Sequence, residues 1–87
     1  MNITIIGGAG FIGTNLAIHI AGESEKTGDR LTVIDRDESY FDVLRSLNLP
    51  NTVYREAPFT LSADFDSQVK GQDVVFHLAG SSTLVID

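Results

Sequence analysis

A cluster of glycines between a β-branched run and a helical pattern constrains the fold of this chain most. Four glycines stand within the seven residues 7–13, directly after ITII at residues 3–6. Glycine gives up side-chain packing and loses more conformational entropy on folding than any other residue. Its concentration at a strand-to-helix junction therefore indicates unusual backbone angles, or a backbone that a ligand approaches closely.

The rest of the chain alternates between β-rich runs and helical patterns. Such alternation favours a parallel sheet with right-handed crossover connections. We therefore predict an α/β fold, namely a partial Rossmann fold with four parallel strands in the order 3-2-1-4. The first two helices cover one face of the sheet and the third covers the other. The predicted strands are 3–6, 31–35, 51–56 and 73–79, and the predicted helices are 11–21, 38–47 and 62–70.

Two local patterns refine these helices. The polar segment 22–30, GESEKTGDR, reads as a helix end followed by a loop. Asp37 is a plausible N-cap for the second helix, whose apolar face consists of Phe41, Leu44 and Leu47.

Length, charge and cysteine usage exclude several classes of protein. The 87 residues suffice for one small domain, and the net charge of −6 repels nucleic-acid phosphates and anionic lipid. No apolar run is long enough to span a membrane, and no spacing of His, Asp or Glu suggests a metal site. With no cysteine and no leader sequence, a cytoplasmic location without nucleic-acid or membrane partners is expected.

The glycines have the spacing G-x-x-G-x-x-G, and their context indicates a dinucleotide. A strand precedes them, a helix follows, and Asp35 ends the second predicted strand 22 residues after Gly13. In this interpretation Gly7 takes the turn, Gly10 lets a pyrophosphate approach, and Gly13 lets the helix pack closely on the sheet. The helix N-terminus faces the phosphates, and the Asp35 carboxylate accepts hydrogen bonds from the adenosine ribose.

The residues at the end of the second strand bear on the choice between NAD and NADP. A carboxylate at Asp35 repels a 2′-phosphate and favours the free diol of NAD. The adjacent Arg36 has the chemistry to pair with a phosphate instead. The sequence therefore favours NAD and leaves NADP as the alternative.

Two segments resemble one known family. GGAGFIGTNL (7–16) and DVVFHLAG (73–80) are similar to motifs of the extended short-chain dehydrogenase/reductase superfamily, in its NAD-dependent epimerase/dehydratase branch. The resemblance covers residues 1–80. It implies a dinucleotide bound by the glycines and the first helical N–H groups, by the acid that ends strand 2, and by a wall beside the adenosine after strand 4. The residues are Gly7, Gly10, Phe11, Ile12, Gly13, Asp35, Leu78, Ala79 and Gly80. Arg36 joins the predicted binding residues on its chemistry alone, as the neighbour of Asp35.

The catalytic motif of that family is not found in these 87 residues. The family uses a Tyr-x-x-x-Lys pair, but Leu44 stands four residues after Tyr40, and Pro58 four after Tyr54. No catalytic residue is therefore assigned, and we expect no turnover from this chain by itself. The segment EAPFT (56–60) also offers no clean match to the acid that often contacts adenine in the family.

Three functions follow as alternatives. The chain 1–87 is the N-terminal part of the dinucleotide-binding domain of a nucleotide-sugar epimerase or dehydratase, with the sugar bound only by a full-length parent. It is otherwise a non-catalytic nucleotide-binding or redox-sensing module, or a fragment that folds but binds nothing. In each case the outer edge of the fourth strand is expected to be open, which favours self-association.

Overall fold

In the described residues, four parallel strands form one sheet. Numbered along the chain, they lie in the order 3-2-1-4, as the sequence predicts. This computed structural model describes residues 1–7, 10–57 and 70–78. The fold class is confirmed, although the predicted third helix, with Phe65 and Val69, lies outside the described residues. The elements are β1 (Asn2–Ile6), α1 (Phe11–Thr27), β2 (Arg30–Asp35), a 3-10 helix (Glu38–Phe41), α2 (Asp42–Ser46), β3 (Thr52–Glu56) and β4 (Val74–His77).

The central strand β1 sets the register of the sheet. Ile6, its last residue, lies opposite Ile34 of β2 and His77 of β4. On the far side of β2, Asp35 lies opposite Glu56 of β3. The carboxyl ends of all four strands therefore meet at one edge, here called the carboxyl edge, and the chain reverses its strand order between β1 and β4.

One face of the sheet carries the main core, and both described helical segments cover it. The members are apolar and buried, and they come from β1, β2, α1, the 3-10 helix and α2. They are Ile3, Ile5, Ala17, Ala21, Leu31, Val33, Phe41 and Leu44. The prediction that the first two helices share a face is therefore confirmed.

Helix α1 is longer than predicted, since it continues through the polar segment to Thr27. The buried face continues from Ala17 and Ala21 to Ser24 at helical spacing. The Ser24 hydroxyl donates to the Ala21 carbonyl at 2.6 Å and accepts from the Asn51 side chain at 3.2 Å, which satisfies it inside the fold. Gly28 then ends the helix with φ +76°, and its N–H donates to the Ser24 carbonyl.

The second helical segment is shorter and tighter than the predicted helix 38–47. It begins as a 3-10 helix, becomes α-helical at Asp42 and ends at Ser46. Phe41 and Leu44 are fully buried as expected, but Leu47 lies beyond the helix end and is 47% exposed. The prediction of Leu47 as a core residue is therefore wrong, because the helical face stops one residue before it.

Candidate functional site at the carboxyl edge

Gly7 makes the turn at the end of β1. Its φ is +80°, a region that side chains with a Cβ rarely adopt. Its N–H donates to the Ile34 carbonyl of β2 at 2.8 Å. This hydrogen bond therefore links the turn to Ile34, the residue of the neighbouring strand that precedes Asp35.

Gly10 stands at the N-cap of α1 for a different reason. Its φ of −76° and ψ of 178° are extended angles that any residue adopts. An added Cβ would meet only the Gly7 carbonyl oxygen, at 3.7 Å, and the residue is exposed. Neither backbone angle nor packing within the described residues requires glycine at this position.

The first turn of α1 offers positive potential and, within the described residues, no side-chain cap. No side chain caps the helix, and no acidic residue lies in its first turn. Phe11 and Ile12 are 86% and 53% exposed, whereas Gly13 is buried. A helix N-terminus with these properties suits a phosphate group, because the backbone N–H groups and the helix dipole both favour negative charge.

Asp35 lies beside this turn, on the β2 side. The residue is only 6% exposed, and its Oδ1 accepts the Arg36 N–H at 2.8 Å. Its backbone carbonyl accepts the Ala57 N–H at 2.9 Å, which extends the pairing of β2 with the end of β3. Arg36 is exposed next to it. A carboxylate and a guanidinium thus stand together one strand away from Gly7.

Three carboxylates hold the segment from Arg36 to Ser39, which leads from β2 into the 3-10 helix. Each accepts a backbone N–H of this segment: Asp35 from Arg36, Glu56 from Glu38 at 2.9 Å, and Asp37 from Ser39 at 2.9 Å. The Ser39 hydroxyl and N–H lower the pKa of Asp37 below its ordinary value. The N-cap role predicted for Asp37 is therefore observed.

Sequence reasoning missed Glu56. Asp35 and Glu56 are register partners in β2 and β3, so their side chains emerge on the same face of the sheet. No local signal marks it, because a strand-end glutamate two residues before a proline resembles an ordinary loop residue.

Leu78 lies on the other side of the glycine turn. Its N–H donates to the Ile6 carbonyl at 2.8 Å, which continues the β4 pairing beyond His77. The side of Gly7 away from Asp35 is thus bordered by Leu78, which is 36% exposed. Ala79 and Gly80, predicted to continue this wall, lie outside the described residues.

A cavity of about 540 Å³ lies at the opposite, amino edge of the sheet. Asn2, Arg30, Asn51 and Gln72 are among its lining residues. It contains none of the predicted binding residues and is separated from them by the length of the strands, so it is not part of the candidate site.

The described part of the chain shows neither a metal-type cluster of side chains nor a membrane-spanning helix. Within residues 1–7, 10–57 and 70–78, no three His, Asp or Glu side chains are grouped closely enough to hold a metal ion. None of the helices in these ranges is long and apolar enough to cross a membrane.

The sheet order, the crossovers and the glycine turn at the strand-order reversal define a Rossmann-like α/β domain. Comparison of the sequence with protein-family models gives a match over residues 3–85 to the NAD dependent epimerase/dehydratase family. The chain belongs to this family, as its two motifs indicate. No curated protein sequence matches the chain significantly.

Solved structures share the fold. A dTDP-glucose 4,6-dehydratase from Bacillus anthracis, in complex with NAD, matches with a TM-score of 0.72 and 24% identity over 94% of this chain and 27% of that one. A UDP-glucose-4-epimerase from Stenotrophomonas maltophila, with bound NAD and formylated UDP-arabinopyranose, matches with a TM-score of 0.67 and 22% identity over 95% of this chain and 25% of that one. The chain therefore spans about a quarter of the length of these structures.

Proposed function

We propose that residues 1–87 form the N-terminal part of a dinucleotide-binding domain, and that the chain binds NAD at the carboxyl edge of its sheet. One observation carries the proposal: the Gly7 turn, the uncapped N-terminus of α1 and Asp35 lie together at the point where the strand order reverses. Ligands of open α/β sheets bind at such a point. Both structural neighbours hold NAD, which supports the same cofactor here.

The residues at this edge fit the pyrophosphate of a dinucleotide. Gly10 is exposed, and the first turn of α1 contains no carboxylate to repel a phosphate. In our proposal the pyrophosphate lies against the segment from Gly7 to Gly13, with Phe11 and Ile12 donating backbone N–H groups.

The adenosine half of the ligand is proposed to lie over the ends of β2 and β4. Asp35 accepts hydrogen bonds from the ribose diol and disfavours a 2′-phosphate, so NAD is preferred over NADP. Arg36 borders the same ribose. Leu78, Ala79 and Gly80 form the wall on the adenosine side and lead towards the nicotinamide.

The parent activity is proposed to be that of a nucleotide-sugar epimerase or dehydratase in the cytoplasm. Bound NAD supplies reversible hydride acceptance to such a reaction. This chain contributes binding and orientation of the dinucleotide. It has no Tyr-x-x-x-Lys pair in its 87 residues, so we assign it no acid–base step and no contact with the sugar.

A second candidate function remains as an alternative, because the binding residues proposed here carry no chemistry of their own. A non-catalytic nucleotide-binding or redox-sensing module needs the glycine turn and Asp35 but no acid–base pair. Both candidates bind a dinucleotide, so calorimetry alone does not distinguish them. Turnover of a nucleotide sugar by a parent protein would favour the first candidate. A chain that binds no dinucleotide would contradict both.

Self-association is part of the proposal. Within the described ranges, β4 pairs with β1 and has no partner strand on its other side. An open edge of this kind presents backbone N–H and C=O groups to other chains. We propose that two copies pair through β4.

Calorimetric titration of NAD and NADP tests the binding proposal. We expect the wild-type chain to bind NAD more tightly than NADP, and Asp35→Asn to reduce this preference while keeping an acceptor for the Arg36 N–H. Asp73→Asn is the matched control, since its carboxylate accepts the Asn2 N–H at 2.7 Å, on β1's amino-terminal side. Unchanged NAD binding by Asp35→Asn and Asp35→Ala would remove Asp35 from the site.

A further inference from the structure

Glu56 connects three elements at the carboxyl edge. It is the last residue of β3, it is the register partner of Asp35 in β2, and its Oε2 accepts the Glu38 N–H at the start of the 3-10 helix at 2.9 Å. A carboxylate that accepts a backbone N–H makes a charge-assisted hydrogen bond, which is stronger than a neutral one. Glu56 therefore holds the Glu38 end of the turn that begins at Asp35.

We propose that Glu56 is a positioning residue that fixes this turn and thereby sets the preference for a free ribose diol over a 2′-phosphate. The inference rests on the proposed function, because it assumes that Asp35 holds the ribose. The near end of the turn is fixed by the Asp35 carbonyl, which accepts the Ala57 N–H at 2.9 Å. Between the two fixed ends lies Arg36, whose side chain is exposed.

Loss of the Glu56 hydrogen bond frees the turn at one end. Glu38 keeps its side-chain ion pair with Arg45, at 3.0 Å, but both of these side chains are largely exposed, so the pair holds the backbone weakly. A turn released in this way lets Asp35 leave the ribose and lets the Arg36 guanidinium reach a 2′-phosphate. The expected result is weaker binding of NAD and a smaller difference between the affinities for NAD and NADP.

The alternative reading of Glu56 is a purely electrostatic one. Its negative charge adds to that of Asp35, and this would repel a 2′-phosphate without any effect on the turn. Glutamine separates the two readings, since its amide oxygen accepts the Glu38 N–H without carrying a charge. Alanine removes both the acceptor and the charge.

The test is calorimetric titration of NAD and NADP into the wild-type chain and into Glu56→Ala, Glu56→Gln and the control Glu38→Gln. Glu38→Gln removes a carboxylate from the same turn but leaves the backbone N–H in place. We expect Glu56→Ala to weaken NAD binding by about three- to tenfold and to narrow the preference over NADP by a similar factor. Glu38→Gln keeps the wild-type affinities, and Glu56→Gln, which keeps a neutral acceptor, stays closer to the wild type than to Glu56→Ala.

Two outcomes overturn the inference while leaving the proposed function intact. In the first, the wild type prefers NAD and Glu56→Ala has the same affinities. In the second, Glu56→Gln behaves like Glu56→Ala, which assigns the effect to charge. A wild-type chain that binds neither dinucleotide is a third outcome, and it overturns the proposed function together with this inference.

Amide hydrogen exchange at Glu38 gives a readout that needs no ligand. We expect slow exchange at this N–H in the wild type and Glu56→Gln, and faster exchange in Glu56→Ala. Equal exchange in all three would show that Glu56 does not hold the turn. Circular dichroism of each variant shows whether the sheet is intact, and Glu56→Gln keeps the inference testable if the alanine variant unfolds.

Discussion

The N–H of Gly7 donates to the carbonyl oxygen of Ile34 at 2.8 Å, so the glycine turn is bonded to β2 one residue before Asp35. The two halves of the candidate site are thus joined through backbone atoms. The bond fixes the distance between the backbone of the glycine turn and the backbone of β2 beside Asp35. A ligand that contacts both meets a preorganised site, which lowers the entropy lost on binding.

The two glycines of this turn are expected to respond differently to alanine. Gly7→Ala places a Cβ on a residue with φ +80° and should destabilise the fold by about 1–2 kcal/mol. Gly10→Ala meets only the Gly7 oxygen at 3.7 Å, so it should cost at most about 1 kcal/mol as an N-cap change. Its NAD affinity should nevertheless fall by about tenfold or more, because the methyl group occupies the path of the phosphate.

Urea denaturation and calorimetry together check this pair. Normal NAD affinity in a folded Gly10→Ala variant would contradict close approach of the ligand at this position.

Alanine substitutions at Gly22, within α1, and at Gly28, at its C-terminal end, test how far the helix extends. Gly22 lies on the exposed side of α1 with no atom within 4 Å of an added Cβ, so Gly22→Ala should stabilise the protein by about 0.5–1 kcal/mol. Gly28 has φ +76° at the helix end, so Gly28→Ala should destabilise it by about 1 kcal/mol. Denaturation midpoints measure both. If both alanine variants were stabilised by the same amount, the helix would not end at Gly28.

Thr4 carries a buried hydroxyl without a hydrogen-bond partner. The residue is fully buried, and in the described structure its Oγ1 has neither donor nor acceptor nearby. Replacement by valine keeps the shape and removes the unsatisfied group, so Thr4→Val should stabilise the fold by about 1 kcal/mol. Thr4→Ser is the control that keeps the hydroxyl and loses a methyl, and it should destabilise the fold by about 1 kcal/mol. A destabilised valine variant, measured by denaturation, would indicate a partner for the hydroxyl in solution.

The Tyr54 phenol should ionise at a higher pH than an exposed tyrosine does. Burial raises its pKa above the ordinary value of 10.0, and the positive charge of Arg45 opposes this shift only in part. The guanidinium carbon lies 5.5 Å from the ring centroid. Because the unfolded chain ionises first, the stability that depends on neutral Tyr54 is present below pH 10 and is lost as the pH rises further.

Near-ultraviolet absorbance follows this ionisation. Tyr54→Phe should remove the late transition without loss of stability, since the buried Tyr54 hydroxyl has no partner. Tyr40→Phe should leave that transition in place. A late transition that survives in Tyr54→Phe would assign it to another group.

The open edge of β4 predicts a mass that depends on concentration. Light scattering should give a value above 9.4 kDa at about 100 µM and approach it on dilution. Val75→Lys places a charge on β4 and should shift the chain to the monomer. Val53→Lys, on the same face but on β3, should not. A monomer at all concentrations, or equal effects of both lysines, would argue against pairing through β4.

The alternation of strand and helix patterns, with the usual doubly wound layout, was sufficient for the sheet order, and the local cluster of glycines for the junction at Gly7. The end of α1 was misjudged because Ser24 is polar, and its burial depends on Asn51, a residue distant in the sequence. Glu56 was missed for the same reason, because its partner Glu38 becomes a neighbour only when β2 and β3 pair. Contacts of this kind depend on tertiary structure and leave no pattern in a short window of sequence.

The buried face of α1 consists of Gly13, Ala17, Ala21 and Ser24. Residues this small have few or no side-chain rotamers to exchange. At these four positions α1 therefore lies on the sheet through its backbone, and a larger side chain at any of them would have to push the whole helix outward.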